Sequence, residues 1–251
     1  MKNTLNKVAQ VTLLFWLAKI VATTLGETLW DYISQTLNLG YYAWIAITGI
    51  LFLVVFIIQL SSKEYTPWKF WLVIIGTTTF GTEISDFMDR TLGLGYTTGS
   101  IVLIFLLAIV LFFSWKRHNH LDVYPITERT QEIYFWIAVL LSNTLGTAFG
   151  DFLSDSLGLG YLDGAMVTSG VILIVVLLHY FAKNINQAFL FWIAFIFTRP
   201  FGATFWDLLT KPIAKWGLNL GTLNATMVAI ILMIILIFLK NNKIKKEKYW
   251  I

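Results

Sequence analysis

The chain has no cysteine, which excludes disulfides, thiolate metal sites and cysteine nucleophiles and leaves the redox compartment open. Histidine is nearly missing as well: His118 and His120 alternate with Asp122 in one loop, and His179 sits at the end of an apolar run. There is no HExxH, no G-x-S-x-G and no Walker sequence. No catalytic set is legible, so the chain is expected to be neither an enzyme nor a cofactor carrier. An intramembrane aspartyl enzyme would need two carboxyls poised to share a proton, an arrangement the acidic residues permit without favouring.

Charge is the third scarcity. Only 13% of the 251 residues are Asp, Glu, Lys or Arg, and 57% are hydrophobic, against roughly 25% charged in soluble proteins. With a mean hydropathy of +0.73, the chain has too little polar surface to coat a water-soluble globule. It reads as a polytopic membrane protein whose first partner is the lipid bilayer. The net charge of +4 comes from basic residues at the ends of apolar runs, which is a topology signal and no sign of nucleic acid.

What the chain has in abundance is itself. Trp71, Gly81, Asp86 and Gly95 recur at the same spacing as Trp16, Gly26, Asp31 and Gly40, then as Trp136, Gly146, Asp151 and Gly160. A fourth copy has Trp192, Gly202 and Asp207, with its last glycine displaced to Gly221. Three copies close on Leu-x-Leu-Gly-Tyr, at residues 37–41, 92–96 and 157–161. Such repetition decides the architecture before anything else does.

A membrane-spanning helix needs about 20 mainly apolar residues. Eight stretches qualify, at roughly 9–33, 41–60, 68–91, 97–115, 133–156, 162–182, 188–209 and 221–240. The N-terminal run resembles a signal peptide superficially, but Lys19 interrupts it and it carries the first copy of the repeat, so it reads as a mature helix. The expected fold is an all-α membrane protein of eight transmembrane helices in four parallel helical-hairpin repeats. These are 9–60, 68–115, 133–182 and 188–240, followed by a basic tail at 241–251. Odd helices hold the polar residues and are expected inside; even helices, nearly pure Ile, Leu, Val and Phe, are expected outside. Lysine and arginine gather at the N-terminus, between repeats and in the tail, which puts both termini in the cytoplasm. Repeats that all run in one direction favour an axis along the membrane normal.

Residues three, four or seven apart share a helix face. Counted back from each repeat's aspartate, that face carries Thr24, Glu27 and Asp31, then Thr79, Thr82, Glu83 and Asp86, then Thr144 and Asp151 with Asn143 alongside, and finally Asp207. Lys19 and Arg199 are the candidate intramembrane counter-charges, since an isolated charge at the bilayer centre costs ~2.5–3.5 kcal/mol on insertion scales. Carboxylate and hydroxyl oxygens suit a hard cation, whose identity as a metal the sequence leaves unknown. The glycines Gly26, Gly81, Gly146 and Gly202 read as sites of close helix approach. The tryptophans Trp16, Trp71, Trp136 and Trp192, each preceded by phenylalanine, read as interfacial anchors or repeat-to-repeat packing.

Those four tandem units, each with two membrane segments and a tryptophan (Trp16, Trp71, Trp136, Trp192), resemble a family of bacterial membrane-anchored proteins built from a tandem repeat of unknown function. The resemblance implies a bacterial inner-membrane location and no chemistry. The residues themselves lead to a transporter or permeation protein for a cation (a divalent metal, or proton-coupled) or a small polar solute. The alternative is a non-transporting scaffold or partner subunit, and the sequence leaves oligomeric state undetermined.

Overall fold

The computed structural model describes the backbone of residues 5–37, 41–182, 184–210, 212–213 and 218–249. The side chains of residues 28–37, 41, 161, 207–208, 222 and 243–249 lie outside that description. The chain is all helical, with α1 (Leu13–Leu37), α2 (Tyr41–Leu60), α3 (Pro67–Asp86), α4 (Gly95–His118), α5 (Arg129–Asp151), α6 (Tyr161–Phe181), α7 (Gln187–Thr210) and α8 (Thr222–Tyr249). Helix α1 starts later than the apolar run does, and α8 continues through the basic tail instead of ending before it.

Local chemistry sets the boundaries. Pro67 opens α3 at its first turn, where the missing N–H costs nothing. Asn119, at φ 61°, ends α4 in the left-handed region. Gly93, Gly95 and Gly158 also have positive φ, which is why glycine recurs in the turns that follow α3 and α5. Each of those two helices first widens into a single π-helical turn, Phe87–Thr91 after Asp86 and Phe152–Ser156 after Asp151.

The odd helices form a closed inner ring: α1 packs on α3, α3 on α5, α5 on α7, and α7 returns to α1. The even helices lie outside, α2 against α3, α4 against α5, α6 against α7 and α8 against α1. Each outer helix therefore leans on the odd helix of the following repeat. The expected hairpin is a matter of chain connection; among the described residues the two helices of one repeat barely touch.

This inside-out division follows from side-chain chemistry. The outer helices turn rows such as Ile50, Leu51 and Val54 or Ile230, Ile231 and Ile234 to the surface, a surface that only lipid would leave at no cost. Helices α2, α4, α5 with its π turn, α6, α7 and α8 are long and apolar enough to cross a membrane. Helices α1 and α3 are as long, and among the described residues they turn Lys19, Glu27, Thr79 and Thr82 toward ring neighbours. The protein is a multi-pass membrane protein.

Candidate functional site

The ring is built by one contact repeated around an axis. Each phenylalanine of a Phe-Trp pair packs on the tryptophan of the next repeat: Phe15 on Trp71 at 5.5 Å, Phe70 on Trp136 at 5.2 Å, Phe135 on Trp192 at 6.1 Å, and Phe191 back on Trp16 at 5.6 Å between ring centroids. Each such pair contributes about 0.5–1.5 kcal/mol beyond its buried area. The indole N–H groups of Trp136 and Trp192 are buried without a partner, whereas an interfacial tryptophan keeps its polar end wet. Of the two readings of the Phe-Trp pairs, repeat-to-repeat packing is the one seen. The girdle closes one end of the bundle.

One helical stretch deeper the glycines do the same. A Cβ on Gly26 would lie 3.2 Å from the Thr79 backbone nitrogen, on Gly81 3.1 Å from that of Thr144, on Gly146 2.8 Å from the Ile196 carbonyl oxygen, and on Gly202 3.4 Å from the Thr24 nitrogen. The series again runs from each repeat to the next and closes from the fourth onto the first. Thr24 and Thr79 reinforce it by donating to the Gly202 and Gly26 carbonyls at 3.3 and 3.4 Å. Thr144 donates only to Leu140 in its own helix. Thr24 and Thr79 therefore join helices, and all three hydroxyls spend their donor on backbone carbonyls.

Between the ring helices lies a short polar column. Its deepest member is Lys19, fully buried, whose Nζ donates to Asn143 Oδ1 at 2.7 Å and sits 4.1 Å from the Phe195 ring centroid. Asn143 Nδ2 in turn donates to Thr77 Oγ1 at 3.0 Å. Toward the other end comes Arg199, whose Nη2 pairs with Glu27 and donates to Thr82 Oγ1 at 2.6 Å. Its Nε and Nη1 are buried without a hydrogen-bond partner, although buried donors are nearly always satisfied. Beyond Glu27 stand Asp86 and Asp151, bridged by Arg90 at 3.5 and 3.7 Å. Tyr96 ties the rim together, accepting from Arg90 and donating to Asp155 at 2.9 Å.

Exposure falls along this column. From rim to floor, side-chain accessibility is 58% at Arg90, 28% at Asp151 and 11% at Asp86, 21% at Glu27 and 1% at Arg199. The aspartate end is thus the wetter end of the column, and Arg199 is its dry floor.

The predicted residues do not all meet there. Glu83 turns outward and accepts a hydrogen bond from Thr48 of α2, and Thr82 takes the place on the ring face. That is a correction to the acidic stripe, and the repeat itself explains it: Thr82 follows Trp71 as Glu27 follows Trp16. The side chains of Asp31 and Asp207, which the same spacing would put in the layer of Asp86 and Asp151, lie outside the described residues. Among the described residues no cluster of three or more His, Asp or Glu could hold a metal ion.

Beneath the girdle is a feature absent from the sequence reading. Residues 5–12 form a strap across the tryptophan end. Lys7 N donates to the Ile126 carbonyl at 2.9 Å and Tyr65 N to the Asn6 carbonyl at 2.8 Å. The Lys7 ammonium pairs with the fully buried Glu132 at 2.8 Å, and Gln59 bonds both the Lys7 carbonyl and Glu132. Val8 and Ala9 are buried in the core. Helix α1 starts at Leu13, where Thr12 Oγ1 accepts the Phe15 N–H at 3.4 Å, and the residues before it form this seal.

Neither a curated protein nor a solved structure matches the chain. The family model described as Repeat of Unknown Function (DUF347) matches residues 14–65, 69–119, 134–184 and 190–240, the four units that the girdle and the glycine ring join. Four tandem copies covering most of its length make this chain a member of the DUF347 repeat family.

Proposed function

We propose that this chain is an integral membrane transporter or permeation protein for a small charged or polar solute, which travels along the axis of the inner ring. The observation that carries the reading is the graded polar column. Charged groups descend from a wet mouth at Asp151 to a dry floor at Arg199, and the far end is shut by the Phe-Trp girdle and the strap. A site near mid-bundle that is reachable from one side and sealed on the other fits one state of an alternating-access cycle. We infer a cytoplasmic setting for the tryptophan end and both termini, a reading supported by Lys7, Lys63, Lys69, Lys116 and Arg117 at that end and the positive-inside rule. A bacterial inner membrane is the setting we infer.

The test is flux into sealed vesicles reconstituted with the purified chain, using sodium, rubidium, acetate and L-alanine as probes. At least one should enter faster than into empty vesicles, and Glu27→Gln should cut that rate about tenfold or more, as removal of a charge-assisted contact does. A second reading has its own observation: Lys19, Asn143 and Thr77 interlock three ring helices, as polar residues in a scaffold would. If no probe enters and Glu27→Gln changes only thermal stability, the scaffold reading replaces transport.

A further inference from the structure

We propose that the column is a binding site for a small zwitterion, held with its carboxylate against Arg199 and its ammonium against Asp86 and Asp151. This names the substrate class of the proposed transporter and rests on that reading for the route, but the site itself stands on separate observations.

The first is the unmet capacity of Arg199. It is almost completely buried at the end of the mouth, and two of its three nitrogens lack any partner while only Nη2 is engaged. Buried donors left open in that way suit a bound acceptor, and a guanidinium suits a carboxylate. Lys19, one layer deeper and within electrostatic reach of Arg199, pairs with an amide and an aromatic face instead of an acid. The floor therefore sets the Arg199 guanidinium, with the Lys19 amine beneath it, against Glu27.

The second observation is what occupies the layer above. Asp86 and Asp151, on neighbouring ring helices, share one cation, the Arg90 guanidinium, at 3.5 and 3.7 Å. These are long contacts from a side chain that is more than half exposed, so Arg90 holds the position weakly. An ammonium would sit where that guanidinium sits, and Arg90 would swing out to solvent.

The two ends of the column select between ligand classes: Arg199 leaves two nitrogens open, and Asp86 and Asp151 share one exposed cation. A lone cation would satisfy the upper layer and leave the floor open, and a lone anion would do the reverse. A solute of zero net charge with separated ends matches both.

The experiment is calorimetric titration of the purified full-length chain in detergent with glycine, L-alanine, acetate and ethylammonium at neutral pH. Glycine or L-alanine should bind saturably, with acetate and ethylammonium each weaker by about tenfold to a hundredfold, the loss of one charge-assisted contact. Asp151→Asn should weaken L-alanine and leave acetate unchanged; Arg199→Lys should weaken both. Where Arg199→Lys fails to fold, the wild-type series and Asp151→Asn still decide. The proposal is overturned if acetate or ethylammonium alone binds as tightly as L-alanine, or if neither amino acid binds. Saturable L-alanine binding without vesicle uptake would keep this site and overturn transport, and uptake of a probe other than an amino acid would do the opposite.

Discussion

Replacing Gly146 by alanine tests the ring at the joint where an added Cβ would come nearest to the neighbouring backbone. The added Cβ would stand 2.6 Å from Arg199 Cβ and 2.8 Å from the Ile196 carbonyl oxygen. Neither neighbour is the far end of a flexible side chain, so α5 and α7 must separate by several tenths of an ångström. Overpacking of this kind costs about 1–3 kcal/mol. The damage reaches further than the joint, because Arg199 is the residue pushed, and its bonds to Glu27 and Thr82 move with it. The comparison is Gly170→Ala on the outer helix α6, where an added Cβ meets nothing within 4 Å. There alanine is the better helix former by about 1 kcal/mol. Thermal unfolding in detergent should show Gly146→Ala clearly less stable than the parent, and Gly170→Ala equal to it or better. Equal stability of the two variants would refute the close α5–α7 contact, and with it the cyclic packing.

The strap makes a second prediction. Lys7→Met removes the cation paired with the buried Glu132, at a cost of about 3–5 kcal/mol, and the double variant Lys7→Met with Glu132→Gln should recover most of the lost thermal stability. Trp136→Ala removes the best-buried indole of the girdle and should cost about 3–5 kcal/mol, read in the same unfolding assay. Glu83→Gln should alter stability through its contact with Thr48 and leave solute flux near the parent rate, whereas Glu27→Gln should abolish most of the flux. A flux loss as large for Glu83→Gln as for Glu27→Gln would return Glu83 to the solute path.

The ring was legible in the sequence because its contacts repeat. Trp16 and Gly26 have counterparts in every copy, and a position that recurs four times at fixed spacing in helices of the same direction has to face the same way in each. The polar column was only half legible. Glu83 and Thr82 are consecutive, so they differ by about 100° around the helix, and a stripe drawn by eye takes in both. Strict counting from Trp71 would have selected Thr82. Arg90 could not be placed, since its reach to Asp86 and Asp151 depends on the π turn at Phe87–Thr91, which has no clear composition signal. The strap was hidden for a different reason. Lys7 and Glu132 are 125 residues apart, and a lysine before an apolar run looks like a topology charge wherever its ammonium ends up.

Since the chain has no native cysteine, single cysteines at positions 151, 27, 199 and 8 report directly on a mouth that descends to a dry floor. In sealed membranes, a water-soluble thiol reagent applied from the aspartate side should modify position 151 fastest, position 27 more slowly, and positions 199 and 8 hardly at all. Protection of 151 and 27 equal to that of 199 would mean that no wet path enters the ring, and the polar column would then be only the glue of a scaffold.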